Sequence, residues 1–154
     1  FGKASVLGAV TGMVAGLGTI TPASGFVGPG GALIIGISAG VVCYYATGYL
    51  KKTLKIDDSL DVFPVHGVGG ILGTLLTAVF ASNGLGVFSG FSDINILDQL
   101  SIQLTGVVAA ILYTGVMTWI ILKVCDVALG NRVNEDDEID GLDLISHNER
   151  GYDL

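Results

Sequence analysis

The sequence predicts an all-α, polytopic membrane protein. Of its 154 residues, 51% are hydrophobic and only 14% are charged, and the mean hydropathy of +0.71 is too apolar for an ordinary water-soluble domain of this size. Four apolar segments each reach the roughly 20 residues that a helix needs to cross a bilayer core. Their punctuation by Pro, Gly and charged residues separates them into distinct spans.

The first span is expected over about 4–21, and "TPASGFVGP", with Pro22 and Pro29, must end it. The second covers about 30–50 and stops at "KKTLKIDDS". The third covers about 62–82 and is followed by "SNGLGVFSGFSDIN". The fourth, 97–129, is longer than one crossing requires, so it is expected to tilt or to project with Lys123 and Asp126 beyond the bilayer. Trp119 and Tyr113 on this segment fit either interfacial anchoring or packing against neighbours. Together 1–130 form the transmembrane region and 131–154 a polar tail, with no soluble second domain visible.

Basic residues orient the spans, because short loops rich in Lys and Arg stay in the cytoplasm. Lys51, Lys52 and Lys55 lie between spans two and three, Lys3 precedes span one, and Lys123 and Arg132 close span four. The other two connections contain no Lys or Arg. With four crossings all basic ends fall on one side, so both termini are expected in the cytoplasm and the protein in a plasma (inner) membrane.

The tail is strongly acidic. From residue 131 onward it holds eight carboxylates against Arg132 and Arg150, which is −6 of the net −7. Such a charge run is a solvated or disordered segment unless its later apolar residues, Leu142, Leu144 and Ile145, dock it. The acidic balance argues against nucleic acid as a partner. Cys43 and Cys125 have no metal-like spacing and no disulfide framework, so reduced, buried thiols are expected and no metal or cofactor is implied. No phosphate-binding Gly-Lys-Ser/Thr loop, helical His pair or Gly-x-Ser-x-Gly elbow is present, which leaves no support for an enzyme. A chain that opens on Phe1 without a charged, cleavable leader is expected to be a processed product or part of a longer one.

Glycine is unusually frequent at 24 residues, many inside the spans. Gly8, Gly12 and Gly16 recur on one face of span one, Gly36 and Gly40 in span two, and Gly69 and Gly73 in span three. Small-xxx-small faces let helix backbones approach in lipid, where apolar burial alone gives little drive for association. They predict a compact helical bundle and nothing more specific.

His66 is the one ionisable residue well inside a span. An ionisable group in lipid is costly and marks a bundle interior or an aqueous cavity, so it is a functional candidate by default. A neutral imidazole there can accept a proton at one nitrogen and donate from the other; a helix-to-helix hydrogen bond is the plain alternative. Pro64, Gly67, Gly69 and Gly70 surround it with weak helix formers, as expected where backbone lines a cavity. Thr21 and Ser24 of "TPASG" could hydrogen-bond carbonyls that the first span's end leaves free, and plain loop chemistry explains them equally well.

The motifs "AGLGTITPASGFVGPGGALIIG", "DDSLDVFPVHGVGGILGTLLT" and "DGLDLISHNERGY", in this order, resemble the ammonium transporter family (Amt/Mep, with the Rh proteins as distant relatives). The resemblance covers nearly the whole chain and is to the C-terminal part only. It implies the last four spans and tail of an eleven-helix fold built from two inverted five-helix repeats plus a final long helix, assembled as a homotrimer with one pore per subunit. His66 then matches the second histidine of the pore pair, whose rings in the family stack edge to edge and share a hydrogen bond. Val14 and Val62 fall where apolar residues line the lumen, and Thr21 near its outer end. Asp61 matches an acidic position at the cytoplasmic side, with either a structural or an electrostatic role. Gly141, Leu142, Asp143, His147 and Tyr152 match a tail motif that packs on the cytoplasmic face and couples subunits.

The resemblance implies that ammonium is deprotonated and conducted as ammonia along paired histidines, with the proton following through a relay that includes His66. Four spans cannot supply such a pore, so the N-terminal half of the transporter is implied as a partner. A sensor or regulatory membrane module, signalling through the tail to a PII-type regulator, is the alternative.

Overall fold

A computed structural model describes residues 5–81 and 95–149. Every regular element among them is helical: α1 (Val6–Ile20), α2 (Pro29–Tyr49), α3 (Gly69–Phe80), α4 (Ile96–Leu129), α5 (Glu135–Asp140) and α6 (Leu142–His147). Two π-helical segments extend them, Leu50–Leu54 at the end of α2 and Phe63–Val68 at the start of α3. Four helical stretches are long and apolar enough to cross a membrane: Val6–Ala23, Pro29–Leu54, Phe63–Phe80 and Ile96–Leu129. The connection over 82–94, Lys3 and Tyr152 lie outside the described residues.

Local chemistry sets the helix ends. Ser5 caps α1, its hydroxyl accepting from Gly8 N at 3.0 Å, and so satisfies one of the free amides of the first turn. Thr21–Ala23 then tightens into a 3-10 turn, and α2 starts on Pro29, whose fixed φ suits the first helical position. Asn95 Oδ1 accepts from Leu97 N at 2.9 Å where α4 begins. Gly130, at φ 76°, ends α4 in the left-handed region that glycine enters without cost.

The chain divides into two compact units, Phe1–Ala109 and Ala110–Leu154, with the boundary inside α4. In the first unit, α1, α2 and the third span pack around Ala15, Cys43 and Val65, with Val14 against them. Small residues dominate these contacts: Ala15 and Thr19 from α1; Gly31, Ile35, Ala39 and Cys43 from α2; Gly69, Gly73, Thr77 and Ala78 from α3. Ile35 is the largest fully buried side chain, which is how helices approach closely without a solvent-driven core.

The three glycine faces do not share one fate. Gly69 and Gly73 press against α1, where a Cβ on Gly69 would stand 2.7 Å from Thr19 Oγ1 and one on Gly73 would run into the Thr19 carbonyl. At Gly12, Gly16, Gly36 and Gly40 a Cβ would meet nothing within 4 Å. Among the described residues, then, α1 and α2 pack through Ala15/Thr19 and Ile35/Ala39/Cys43, each beside its glycine stripe. Apart from Gly8, where a Cβ would meet the Ser5 cap hydroxyl at 3.0 Å, the stripe itself stays open.

The second unit holds the remainder of α4, then α5 and α6. Arg132 reaches Glu138 Oε2 at 3.0 Å, and Gly141 N donates to Asp137 O at 3.1 Å as the chain turns between the two short helices. The acidic run Glu135–Glu138 occupies the first turn of α5, where the helix dipole favours negative charge.

Candidate functional site

His66 lies in the π-helical turn Phe63–Val68, and no break interrupts the chain around it: α3 continues directly from that turn. The proline and glycines around His66 therefore produce a widened turn and not a ruptured helix. Pro64 falls in the first turn, where its missing N–H costs nothing. π turns are rare and recur at functional positions because the added residue redirects side chains.

The imidazole lies beside α1. A Cβ on Gly18 would stand 3.9 Å from His66 Nδ1 and 3.8 Å from Val65 O, ordinary van der Waals distances, which places the ring next to α1 at Gly18. Val62 precedes the π turn and is exposed, while Val14 is half-buried against Ala15, Cys43 and Val65. Thr21 begins the 3-10 turn, and its hydroxyl donates to Leu17 O at 2.7 Å. Ser24 does the same to Ile20 O at 3.3 Å, so both hydroxyls satisfy the carbonyls at the end of the first span.

Thr19 departs from this pattern. Its hydroxyl is fully buried and, among the described residues, has no partner in hydrogen-bond geometry; the Cys43 thiol is the polar group that interacts with it.

Asp61 is not a free carboxylate. Its Oδ1 pairs with Lys51 Nζ at 2.8 Å, an ion pair by distance whose angle falls outside hydrogen-bond geometry, with Lys51 40% and Asp61 20% exposed, and its backbone sits at φ 56°, unusual for a residue with a side chain. Asp61 also borders a cleft of about 350 Å³ that Ser5, Thr11, Gly40, Cys43 and Thr47 help to line. Three residues upstream, Asp58 accepts from Val62 N through Oδ1 and from Phe63 N through Oδ2, both at 2.8 Å. The Phe63 amide first, then the Val62 amide, hold its carboxyl below the usual carboxylate range, and the Lys51 charge adds to this.

Asp58, Lys51 and Gly18 do not stand out in the sequence as site residues. An Asp just before an apolar run is a capping signal that could have marked Asp58. Nothing in the sequence links Lys51 to a partner ten residues on, or Gly18 to His66.

In the tail, Gly141 adopts φ 93° and Leu142 opens α6. Asp143 O accepts from Glu149 N at 3.0 Å, and His147 is the last residue of α6. These four residues belong to one turn-helix unit, to which Tyr152 cannot be assigned.

A family model described as "Ammonium Transporter Family" matches residues 1–152. The chain belongs to this family. An ammonium transporter of Aquifex aeolicus is 44% identical over 153 residues, a match covering 99% of this chain and 36% of the relative. One of Mycobacterium bovis is 43% identical, covering 99% of this chain and 33% of the relative. A solved structure described as "Sensor Amt Protein" superposes with a TM-score of 0.80 at 33% identity, over 94% of this chain and 35% of its own. The chain thus spans about a third of the length of these members of the Ammonium Transporter Family. Relatives named as transporters and four membrane-length helices make it part of a multi-pass membrane protein.

Proposed function

We infer that the chain is the C-terminal part of an ammonium transporter, in which His66 lines the route along which ammonium, once deprotonated, passes inward as ammonia. The observation that carries this reading is the position of His66 inside the apolar span Phe63–Phe80, on a π turn, with its ring next to α1. An ammonium ion is costly to move through an apolar constriction, whereas ammonia needs only a hydrogen-bond donor or acceptor along the way. A neutral imidazole supplies both, and it can take part in returning the proton. Val14 and Val62 would keep the lumen apolar, Thr21 would stand near its outer end, and Asp61 would sit at the cytoplasmic side. Relatives are nearly three times longer, and the spans they have in addition would supply the histidine that faces His66. A homotrimer in a plasma membrane, with the tail in the cytoplasm and available to a PII-type regulator, completes the reading.

Charge movement on ammonium addition to proteoliposomes tests it, comparing the complete transporter with its His66→Ala form at equal reconstituted amounts. A current lost in the variant with fold retained supports His66 on the route; an unchanged current reduces it to packing. A sensor role is the second reading, favoured by the likeness to a protein described as a sensor. Absence of any ammonium-dependent current, with ligand-dependent change at the tail, would favour it.

A further inference from the structure

We propose that Asp58 and the Lys51–Asp61 ion pair are positioning residues for His66: they hold the π turn in register and so fix the direction in which the imidazole points. The proposal deepens the transport reading and rests on it.

The third span is anchored at two levels. Its later part cannot rotate, because Gly69 and Gly73 lie directly on the Thr19 backbone and side chain. Its beginning is held by Asp58, whose two carboxylate oxygens each take one amide, Val62 N and Phe63 N, at 2.8 Å. These are first-turn donors with no intrahelical partner. Asp58 O also accepts from Asp61 N at 3.2 Å, and Asp61 O from Val65 N at 3.0 Å, which closes a continuous set of bonds up to the residue before His66.

Between the two anchors lies one residue more than an α-helical turn would hold. An α-helix advances 3.6 residues per turn, so relaxing the π turn to α geometry means slipping the chain by one residue. With Gly69 and Gly73 fixed, His66 and everything before it would rotate by about 100°. Asp58, Val62 and Phe63 would move together in that slip, so what resists it is Asp61, which stands at φ 56° and pairs with Lys51 on the end of the neighbouring span; the Asp58 bonds make residues 58–63 one unit and so pass that hold on to the turn. Lys51 itself stands on the π-helical extension of α2, so the pair ties the start of the third span to the end of the second. The Phe63 ring adds a local lock, since a Cβ on Gly67 would meet its Cδ2 at 3.0 Å.

The test uses the complete transporter in proteoliposomes, with ammonium-driven current and the ratio of ammonium to methylammonium flux read on Asp58→Ala, Asp58→Asn, Lys51→Met, Lys51→Arg and His66→Ala. A misdirected ring alters discrimination between the two substrates, whereas a loss of folded protein lowers both fluxes by the same factor. Asp58→Ala and Lys51→Met are expected to lower ammonium flux by about tenfold and to change the ratio. Asp58→Asn, which keeps one acceptor oxygen, should fall between, and Lys51→Arg should restore the ratio. If His66→Ala abolishes current but the loop variants leave the ratio at the unsubstituted value, the positioning role is overturned while the transport reading stands. If His66→Ala conducts normally, the transport reading falls and the positioning role with it. Should Asp58→Ala not fold, Asp58→Asn and Lys51→Met decide the matter by the same ratio.

Discussion

Replacing Gly73 with alanine puts a methyl group where the Thr19 carbonyl already stands. The obstacle is backbone of a neighbouring helix, so no side-chain rotation can relieve it and α1 and α3 must separate. Overpacking of this kind costs about 1–3 kcal/mol, and the fixed obstacle places Gly73 at the upper end, near ~3 kcal/mol. Alanine returns at most about 1 kcal/mol through its better helix propensity. The net expectation is a loss of about 2 kcal/mol, or roughly 30-fold in the folded-to-unfolded ratio. Gly12→Ala is the internal comparison: nothing lies within 4 Å of the added carbon, so only the propensity gain remains and stability should stay level or rise by up to about 1 kcal/mol. Unfolding of the 154-residue chain in mixed micelles of increasing dodecyl sulfate content, followed by circular dichroism, gives both values. Equal shifts at the two positions would refute the assignment of the Gly69–Gly73 face as the close contact.

Two further outcomes follow from the loop and the tail. The Asp58 carboxyl titrates lower in the folded chain than in the unfolded one, where its value is about 3.9, so its contribution is present above that pH and is lost as pH falls through the folded value. The stability gap between the unsubstituted chain and Asp58→Asn should therefore be level near neutrality and close in acid; unfolding curves in which the gap widens on acidification would contradict the assigned bonds. Gly141→Ala forces a side chain into φ 93° and brings its Cβ to 2.8 Å from Asp143 Oδ1, a local cost of about 1–3 kcal/mol. Faster amide hydrogen exchange at Ile145 and Glu149, which donate to Gly141 O and Asp143 O, is the expected result, and unchanged exchange would show that the turn does not depend on glycine.

The four spans, the acidic tail and the singular status of His66 were legible in the sequence because each rests on composition: apolar length against bilayer thickness, charge run, and an ionisable group where none is cheap. The Ser5 cap and the Pro29 helix start are equally local, since Ser5 meets Gly8 N three residues on and Pro29 needs only its own fixed φ. Which glycine stripe is used could not be read the same way. Gly12/Gly16 and Gly69/Gly73 have the same spacing, and only the geometry of the neighbouring helix decides that the second pair meets Thr19 while the first meets nothing. The π turn at His66 is a register choice between two hydrogen-bond patterns open to the same residues, and it depends on anchors at both ends, the Asp58–Asp61 segment tied to Lys51 below and the α1 contact above. The pairing of Asp61 with Lys51 likewise needs the bend that brings the end of one span to the start of the next. Sequence by itself determined what must lie in lipid and which side chain there demands a reason; tertiary structure decided where that side chain points, because direction depends on contacts between segments far apart in the chain.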